Sequence, residues 1–553
     1  MWMVRGSGRL RIFMRGNILA IIRETALRHW GLGLALLLVL GGKIALLGAR
    51  VFPFNADEAV VGLMARHILQ GERPLFFYGQ AYMGSLDAIL AAAGFALLGQ
   101  QVWIIRAVQT LLFCGTIAVW YFFCAEAFDS LPVARTAALL LAVPSVLLTL
   151  YTTISLGGYG EALLLGSLSM LLALQIRRGK THPVRWLGLG LVIGIGFWSF
   201  PLSLVLTFPA FLVAVAGKPA GQNSQSAKIS LAPYPILFLG LLMGMLPWII
   251  GLIQMGSASL RELGGSAIAG TIHGSLGTVF SLRLLNLLLF GTTALFGLRP
   301  SWEIRWLMPV LLPCALAIDL SAVIYAVRNL RVRDAARPAR WMLAGSAATL
   351  ALVYLLTPFG NDPSGRYFLP LGLVLAAFCA ELIVRAAARF GRSAYVLILV
   401  LMAFQGAGTL ESALRMPPGI TTQFDPVAQL DQRDLSQVIA FLRAHGETRG
   451  YTNYWVSFPL AFLSREELIF TARLPYHEDL RYTARDDRYP PYDDLVDASS
   501  HVAYITTKNP ALDARLEAAF ADRGIQYRVE QIGDFRIYYN LSGVIRPEVI
   551  LST

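Results

Sequence analysis

Two adjacent carboxylates, Asp57 and Glu58, follow directly after the first long apolar segment of the chain. A carboxylate at the mouth of a membrane cavity can accept a proton from a hydroxyl group, and it can also help to bind a divalent metal ion. The same residues could instead simply begin a helix, because acidic side chains are favourable at a helix N-terminus. The pair is therefore a candidate catalytic site whose surroundings must decide between these interpretations.

Further candidates for substrate binding lie in segments that connect other apolar runs: Arg73, Tyr78, Gln80, Tyr82, Glu161, Arg366 and Tyr367. Arg366 opens a late apolar run, where a guanidinium suits a phosphate at headgroup depth. An arginine can equally snorkel at the interface. Glu161 follows the glycine-rich turn 155–160, where it could line a site or cap a helix. The loop 254–280 carries Arg261 and His273 and could close over a ligand.

The composition indicates the environment in which these residues work. The chain has 553 residues, of which 56% are hydrophobic and 14% charged, with a mean hydropathy of +0.59. Soluble proteins contain about 25% charged residues, so this chain is too apolar for a soluble core. The net charge of +12 comes from short basic runs between apolar segments, which is typical of cytoplasmic loops and not of nucleic-acid binding.

Thirteen apolar segments approach the length of about 20 residues that a spanning helix needs, and two of them, 84–99 and 281–297, are short. If both short segments lie in the interface, the basic runs 177–185 and 328–340 face the cytoplasm, as the positive-inside rule requires. We therefore predict an all-α polytopic membrane protein with about eleven spans plus two interfacial helices, 11–13 in total. Its N-terminus would be cytoplasmic.

The predicted organisation has three parts. Residues 1–30 form a basic cytoplasmic N-terminus, and residues 31–412 form the transmembrane domain, with a first outer loop at 52–84. Beyond residue 413 long apolar runs stop. Helical patterns at 435–445 and 511–523, a strand at 501–507 and a strand pair at 526–529 and 535–540 predict a small extracytoplasmic α/β domain, 413–553.

The chain resembles the type C glycosyltransferase superfamily, in particular bacterial members of the dolichyl-phosphate-mannose–protein mannosyltransferase and aminoarabinose transferase group. The resemblance covers roughly residues 30–410. It is carried by the acidic pair Asp57-Glu58 after the first span, an acidic residue at the second outer loop, and the element Arg366-Tyr367-x-x-Pro370. The run Tyr-Gly-Gln-Ala-Tyr-Met-Gly-Ser at 78–85 is also similar to one branch of these proteins.

The resemblance implies an activity and residue roles. Asp57 would be the catalytic base or a metal-associated carboxylate, with Glu58 as its neighbour, and Arg366 would meet the donor phosphate. Donors in this superfamily are polyprenyl-phosphate sugars, and transfer inverts the anomeric centre. Two departures stand out. Glu161 occupies the place where many relatives carry Asp, and residues 198–201 lack the Lys that many relatives carry there, so that Arg261 or Arg73 would have to substitute.

The leading hypothesis is thus a glycosyltransferase in the plasma or inner membrane that acts on the non-cytoplasmic face. Its acceptor could be a lipid, a glycan or a protein. A divalent metal ion, if one takes part, would meet Asp57 or Glu161. The alternatives are a lipid or polysaccharide transporter or flippase, or a non-catalytic scaffold of the same fold. The absence of paired sequence halves disfavours a secondary transporter.

Overall fold

The computed structural model describes residue 24 and residues 27–216, 233–266 and 274–551. Within this part of the chain nine helices are long and apolar enough to cross a membrane. They are Trp30–Gly48, Val102–Phe128, Tyr159–Arg177, Pro233–Met255, Leu276–Leu295, Leu312–Asn329, Arg337–Leu356, Arg366–Phe390 and Arg392–Ala413. Shorter apolar helices pack among them at Leu86–Leu98, Leu131–Ala142, Pro183–Ser199 and Pro201–Val215. The helical membrane architecture predicted from the sequence is confirmed.

The two short segments differ in length. Leu86–Leu98 has 13 residues and is about 20 Å long, which is shorter than a hydrocarbon layer of about 30 Å. Its length therefore favours the predicted interfacial position. Leu276–Leu295 continues for 20 residues through a π-helical segment at Asn286–Gly291, so its length would allow it to cross. The interfacial position of 281–297 stays a prediction.

One predicted span, 132–152, is broken in the structure. The chain forms the helix Leu131–Ala142 and then a separate short helix, Val146–Tyr151. Pro144 lies in the gap, where a proline has no backbone N–H to continue the helix. Ser145 caps the second helix by accepting a hydrogen bond from the Leu148 N–H. The break directs residues 151–160 towards the outer-loop residues described below.

Two helices of the membrane domain, Pro183–Ser199 and Pro233–Met255, pack through glycines spaced four residues apart. A Cβ atom on Gly190 or Gly194 would overlap the backbone of the second helix, and one on Gly240 or Gly244 would overlap the backbone of the first. Small residues at this spacing let two backbones approach closely inside a membrane. This contact fixes the helix that ends at Ser199, beside the candidate site.

The C-terminal region contains a five-stranded sheet in the order Ile469–Thr471, Arg449–Tyr451, Ala503–Thr507, Phe535–Tyr539 and Arg528–Ile532. The first three strands are parallel, and the last two pair antiparallel. Helices Leu435–His445, Tyr454–Leu463, Pro491–Asp497, Pro510–Asp522 and Pro547–Leu551 surround the sheet. The predicted α/β character is confirmed, whereas the strands at 449–451 and 469–471 were not predicted. The boundary at residue 413 stays a prediction.

Two helices join the C-terminal region to the first outer loop. We call Ala56–Leu69 the base helix and Tyr454–Leu463 the docking helix. Arg66 donates a hydrogen bond of 3.0 Å to the Phe462 carbonyl and pairs with Glu466 at 3.1 Å. A Cβ atom on Gly62 would lie 2.6 Å from the Phe462 ring, so only glycine allows this approach. The docking helix therefore lies directly against the helix that carries Asp57.

The glycine contact between the membrane helices predicts a difference between two Gly→Ala substitutions. Gly240→Ala places a methyl group against the Leu187 carbonyl and should destabilise the protein by about 1–3 kcal/mol, as overpacking does. Gly41→Ala is the matched control, because its Cβ would meet nothing within 4 Å. Thermal unfolding in detergent should show a lower midpoint for Gly240→Ala alone. Equal midpoints for the two variants would contradict the packing.

Candidate active site

Asp57 owes its position to a helix cap. Asn55 precedes the base helix, and its side-chain oxygen accepts a hydrogen bond of 2.7 Å from the Asp57 N–H. The Asn55 amide also donates to Thr422 at 2.7 Å, which ties the cap to the start of the C-terminal region. Asp57 thus occupies the first turn of the helix and also faces a cavity. The structure confirms that the acidic pair begins a helix, and the role of Asp57 as a site residue stays a prediction.

Glu58 points away from that cavity into the protein. Its carboxylate is fully buried and accepts two hydrogen bonds of 2.8 Å from Arg106 on the helix Val102–Phe128. Burial raises the pKa of Glu58, while the charge and hydrogen bonds of Arg106 oppose that shift. Arg106 also donates to the Pro53 carbonyl at 3.3 Å. The Glu58–Arg106 pair therefore fixes the beginning of the first outer loop to the helix Val102–Phe128.

A cavity of about 600 Å³ lies between the membrane domain and the C-terminal region. Five of the residues predicted from the sequence line it: Asp57, Gln80, Tyr82, Arg366 and Tyr367. The C-terminal region contributes a comparable share, which the sequence did not predict: Gln423, Phe424, Asp425, Tyr454, Trp455, Tyr476, His477, Arg485, Asp486 and Arg488. The candidate site is therefore built jointly by the two parts of the chain.

Asp57 is held by two residues of the C-terminal region. The Tyr454 hydroxyl donates a hydrogen bond of 2.5 Å to Oδ1 of Asp57, and Arg488 Nη2 lies 3.7 Å from the same oxygen. The Arg488 guanidinium also stands 5.3 Å from the centre of the Tyr454 ring. One carboxylate oxygen is thus engaged by a phenol and a cation.

Arg488 is in turn fixed by the first outer loop. Its side chain is 8% exposed, and Gln80, with its amide oxygen turned towards Arg488, accepts hydrogen bonds of 2.8 and 2.9 Å from the two terminal nitrogens. Gly79 adopts a positive φ of 67°, and a Cβ atom there would lie 2.7 Å from Cδ of Arg488. Gly79 lies in the turn of a short hairpin between the antiparallel strands Phe76–Phe77 and Gln80–Gly84. Only glycine lets this hairpin approach the arginine so closely.

Arg366 faces the same cavity from the membrane domain. Its Nε lies 2.6 Å from the Asp362 carboxylate, and Nη2 donates to the Tyr367 hydroxyl at 3.2 Å. The side chain remains 36% exposed despite these partners. The guanidinium is therefore held in one orientation, in a partly exposed side chain that lines the cavity.

An apolar pocket of about 240 Å³ adjoins the cavity and shares Tyr82 and Tyr367 with it. Its remaining walls are mostly apolar and come from three segments: Phe197, Phe200, Pro201, Leu202, Leu204, Val205, Leu263, Thr349, Leu350, Val353, Tyr354, Thr357 and Phe359. Next to Leu263, Glu262 accepts a hydrogen bond of 2.6 Å from the Ala81 N–H. The described part of the loop 254–280 thus contributes to the wall of this pocket.

Besides Glu58, three predicted residues lie outside the cavity lining. Glu161 is buried near Asp87, close enough for the two carboxylates to interact. Tyr78 donates to Glu72 at 2.6 Å and stacks on Tyr489 of the C-terminal region, so it holds the two parts together. Arg73 is exposed on the loop between them.

The cations of the cavity differ from those that the sequence suggested as substitutes for the missing lysine. Arg261 is exposed and does not line the cavity, and His273 lies outside the described residues. Trp198, near the expected lysine position, donates its indole N–H to the Leu75 carbonyl at 2.9 Å and so supports the first outer loop. The cations come instead from Arg366 and from Arg485 and Arg488 of the C-terminal region.

The surroundings of Asp57 do not form a metal-ligand set. Among the described residues no group of three or more His, Cys, Asp or Glu side chains is placed to hold an ion. The nearest polar partners of Asp57 are a tyrosine hydroxyl and an arginine, and Glu161 is not in the same cavity. The described residues around Asp57 therefore do not fit a bound divalent metal ion.

Comparison with solved structures establishes the fold. No protein-family model and no curated protein matches the sequence. The structure is similar to ArnT from Cupriavidus metallidurans bound to undecaprenyl phosphate, with a TM-score of 0.55 and 13% identity over 93% of this chain and 99% of that chain. The structure is also similar to ArnT from Cupriavidus metallidurans in the apo state, with a TM-score of 0.53 and 12% identity over 92% of this chain and 97% of that chain. The chain therefore has the type C glycosyltransferase fold that its motifs predict.

A weaker similarity connects the chain to the Archaeoglobus fulgidus oligosaccharyltransferase in complex with Zn and sulfate. The TM-score is 0.48 at 13% identity, over 92% of this chain and 73% of that chain. A similarity at this level supports no conclusion about the site.

Asp486 provides a pH-dependent prediction. Burial raises the pKa of this carboxyl to about 7, against the lowering effect of Arg488. A folded-state pKa above the unfolded value means that stability falls as the pH rises from about 4 towards 7. Asp486→Asn removes the free-energy cost of ionising this buried carboxyl at neutral pH. Its thermal midpoint relative to wild type should therefore increase between pH 5 and pH 8, and a difference that is independent of pH would contradict the burial of an ionisable Asp486.

Proposed function

We propose that the protein is an inverting glycosyltransferase that takes a sugar from a polyprenyl-phosphate donor on the non-cytoplasmic face of the membrane. The observation that carries this proposal is one cavity in which a carboxylate, Asp57, and three arginines face the same space beside an apolar pocket. The type C fold supports it, and the similar ArnT structure is bound to undecaprenyl phosphate.

The donor fits the membrane side of the cavity. Its phosphate would meet the guanidinium of Arg366, which Asp362 and Tyr367 orient. Its isoprenoid chain would enter the adjoining apolar pocket past Tyr82 and Tyr367. A polyprenyl phosphate leaves as an anion, so the arginine charge stabilises the departing group and no general acid is needed.

Asp57 acts as the base on the opposite side of the sugar. The acceptor hydroxyl attacks the anomeric carbon as the bond from that carbon to the phosphate oxygen breaks, and the hydroxyl proton passes to the Asp57 carboxylate. Attack opposite the leaving group inverts the anomeric centre. Tyr454 and Arg488 orient Asp57 through one carboxylate oxygen, and the other oxygen is left for the acceptor.

Glu58 has a different role in this proposal from the catalytic role expected from the sequence. It holds Arg106 inside the protein and touches the cavity nowhere among the described residues. We assign it to positioning the base helix. Tyr78 likewise fixes the C-terminal region, and Gln80 and Tyr82 shape the cavity itself.

The orientation of the chain is part of the proposal. The protein is an integral membrane protein. The positive charge of residues 177–185 and 328–340 supports a cytoplasmic position for these two loops, with the cavity on the outer side. Lys180→Cys should be protected from a membrane-impermeant maleimide in intact spheroplasts, whereas Asp522→Cys should react. The wild-type chain with its four cysteines provides the background. Labelling of residue 180 from outside would reverse the topology.

The central mechanistic prediction concerns Asp57→Asn. This substitution keeps the size of the side chain and removes its basicity, so turnover should fall by about 10²–10⁴-fold, the usual contribution of general base catalysis. The assay contains membranes, a polyprenyl-phosphate sugar and a candidate acceptor, and it measures the released polyprenyl phosphate.

Asp522→Asn is the matched control, because Asp522 is exposed at the end of the helix Pro510–Asp522 and does not line the cavity. It should retain wild-type turnover. An Asp57→Asn protein that turns over as fast as Asp522→Asn would remove the assignment of the base. Transport of the lipid across vesicles, without release of sugar, would support the flippase alternative instead.

A further inference from the structure

The cavity has a second group of lining residues, apart from those that the proposed function assigns to the donor. We call it the acceptor wall and define it by six residues of the C-terminal region: Gln423, Phe424, Asp425, Trp455, Tyr476 and His477. We propose that this wall binds the acceptor, and that the acceptor is a neutral carbohydrate. The inference rests on the proposed function, because it concerns the second substrate of that same site.

The acceptor wall begins at the catalytic carboxylate. Trp455 follows Tyr454, the residue that donates to Asp57, and their ring centres are 5.0 Å apart. The Tyr476 ring lies 5.7 Å from Trp455 at an angle of 74°, and the His477 ring lies 4.2 Å beyond it. A sugar held against these rings would present a hydroxyl to Asp57.

The chemistry of the wall suits a sugar ring. Pyranoses have an apolar face of C–H groups and an edge of hydroxyls, so they need flat apolar surfaces with hydrogen-bonding groups around them. Tyr476 and Phe424 supply aromatic surface, and Phe424 is 37% exposed. Asp425 and His477, held 3.1 Å apart, supply an acceptor and an imidazole at the edge.

The charge of the wall argues against an anionic acceptor. The cavity arginines of the C-terminal region are engaged by other carboxylates. Arg485 lies 3.7 Å from Glu262, beside the apolar pocket. Arg488 lies 3.7 Å from Asp57. A phosphorylated acceptor would bring its charge towards the Asp425 carboxylate and would have to compete with Asp57 for Arg488, which is unfavourable. A neutral polyhydroxylated molecule meets no such penalty.

The space is sufficient for both substrates. Pockets for drug-sized ligands measure about 300–1,000 Å³, and this cavity measures about 600 Å³ in addition to the apolar pocket. The donor chain would occupy the apolar pocket, which leaves the cavity for the phosphate, the donor sugar and one acceptor sugar ring.

Binding of simple glycosides to the full chain in nanodiscs tests the inference. The probes are methyl β-glycosides of glucose, galactose and N-acetylglucosamine and their 6-phosphates, observed by saturation-transfer difference NMR. At least one neutral glycoside should bind saturably and more tightly than its phosphate. Asp425→Asn should weaken that binding about tenfold or more, as loss of a hydrogen bond to a charged group does. Tyr476→Leu should weaken it about tenfold because it removes the aromatic surface against which the sugar packs.

The variants are chosen to preserve the fold. Asp425 caps a short helix by accepting from the Val427 N–H, and Asn can make the same cap. Tyr476→Leu keeps an apolar side chain and removes the ring. Asp522→Asn is the surface control and should bind the glycoside as the wild type does. Unchanged binding in both wall variants, tighter binding of the phosphates, or no binding of any neutral glycoside would overturn the inference.

A parallel measurement separates this test from the proposed function. Undecaprenyl phosphate should bind equally well to wild type, Asp425→Asn and Tyr476→Leu, and about tenfold more weakly to Arg366→Ala. Normal lipid binding without glycoside binding would contradict only the acceptor inference. Lipid binding that is unchanged in Arg366→Ala would contradict the proposed donor site.

Discussion

The candidate site depends on the contact between the base helix and the docking helix. Arg66 and His67 of the base helix both meet Glu466, at 3.1 and 2.8 Å, just beyond the end of the docking helix. Tyr492 donates to the same carboxylate at 2.8 Å. Phe462 packs on Gly62 at the centre of the contact. Because this contact aligns the two helices, Tyr454 reaches Asp57 and the C-terminal region closes the cavity.

A buried ion pair fixes the base helix to a helix of the membrane domain. Breaking a buried ion pair typically destabilises a protein by about 3–5 kcal/mol, because the remaining charge has no partner. Glu58 and Arg106 form such a pair with two hydrogen bonds of 2.8 Å. The two residues of the acidic pair therefore have different surroundings and different roles. Glu58 anchors the helix, and Asp57, one position earlier, is presented to the cavity.

The sequence predicted one half of this arrangement. Asp57 and Arg366 were identifiable from their residue types and from their places at the outer ends of apolar segments, and both line the cavity. Glu161 and Arg73 occupy similar places along the chain but not in space, because position at a segment end does not specify which way a side chain points. The break at Pro144 shows the same limit, since hydropathy alone counted one span where the chain forms two helices.

The other half could not be predicted because it depends on contacts between distant parts of the chain. Tyr454 and Asp57 are 397 positions apart, and no local pattern connects them. The sequence contained one signal for the C-terminal contribution, the concentration of charge around Arg485 and Arg488. Because the lysine expected near residue 198 is missing, cations from another part of the chain were needed, and these arginines were candidates. Side chains of this region supply both the cations near Asp57 and the acceptor wall.

A cryo-electron microscopy structure of the chain in nanodiscs with undecaprenyl phosphate tests the central claim, that one cavity joins a lipid-phosphate site to the Asp57 carboxylate. The phosphate should lie within hydrogen-bonding distance of Arg366, and the isoprenoid chain should lie in the apolar pocket between Tyr82 and Tyr367. The docking helix should remain in contact with the base helix. A lipid bound elsewhere, or a C-terminal region separated from Asp57 in the occupied state, would contradict it.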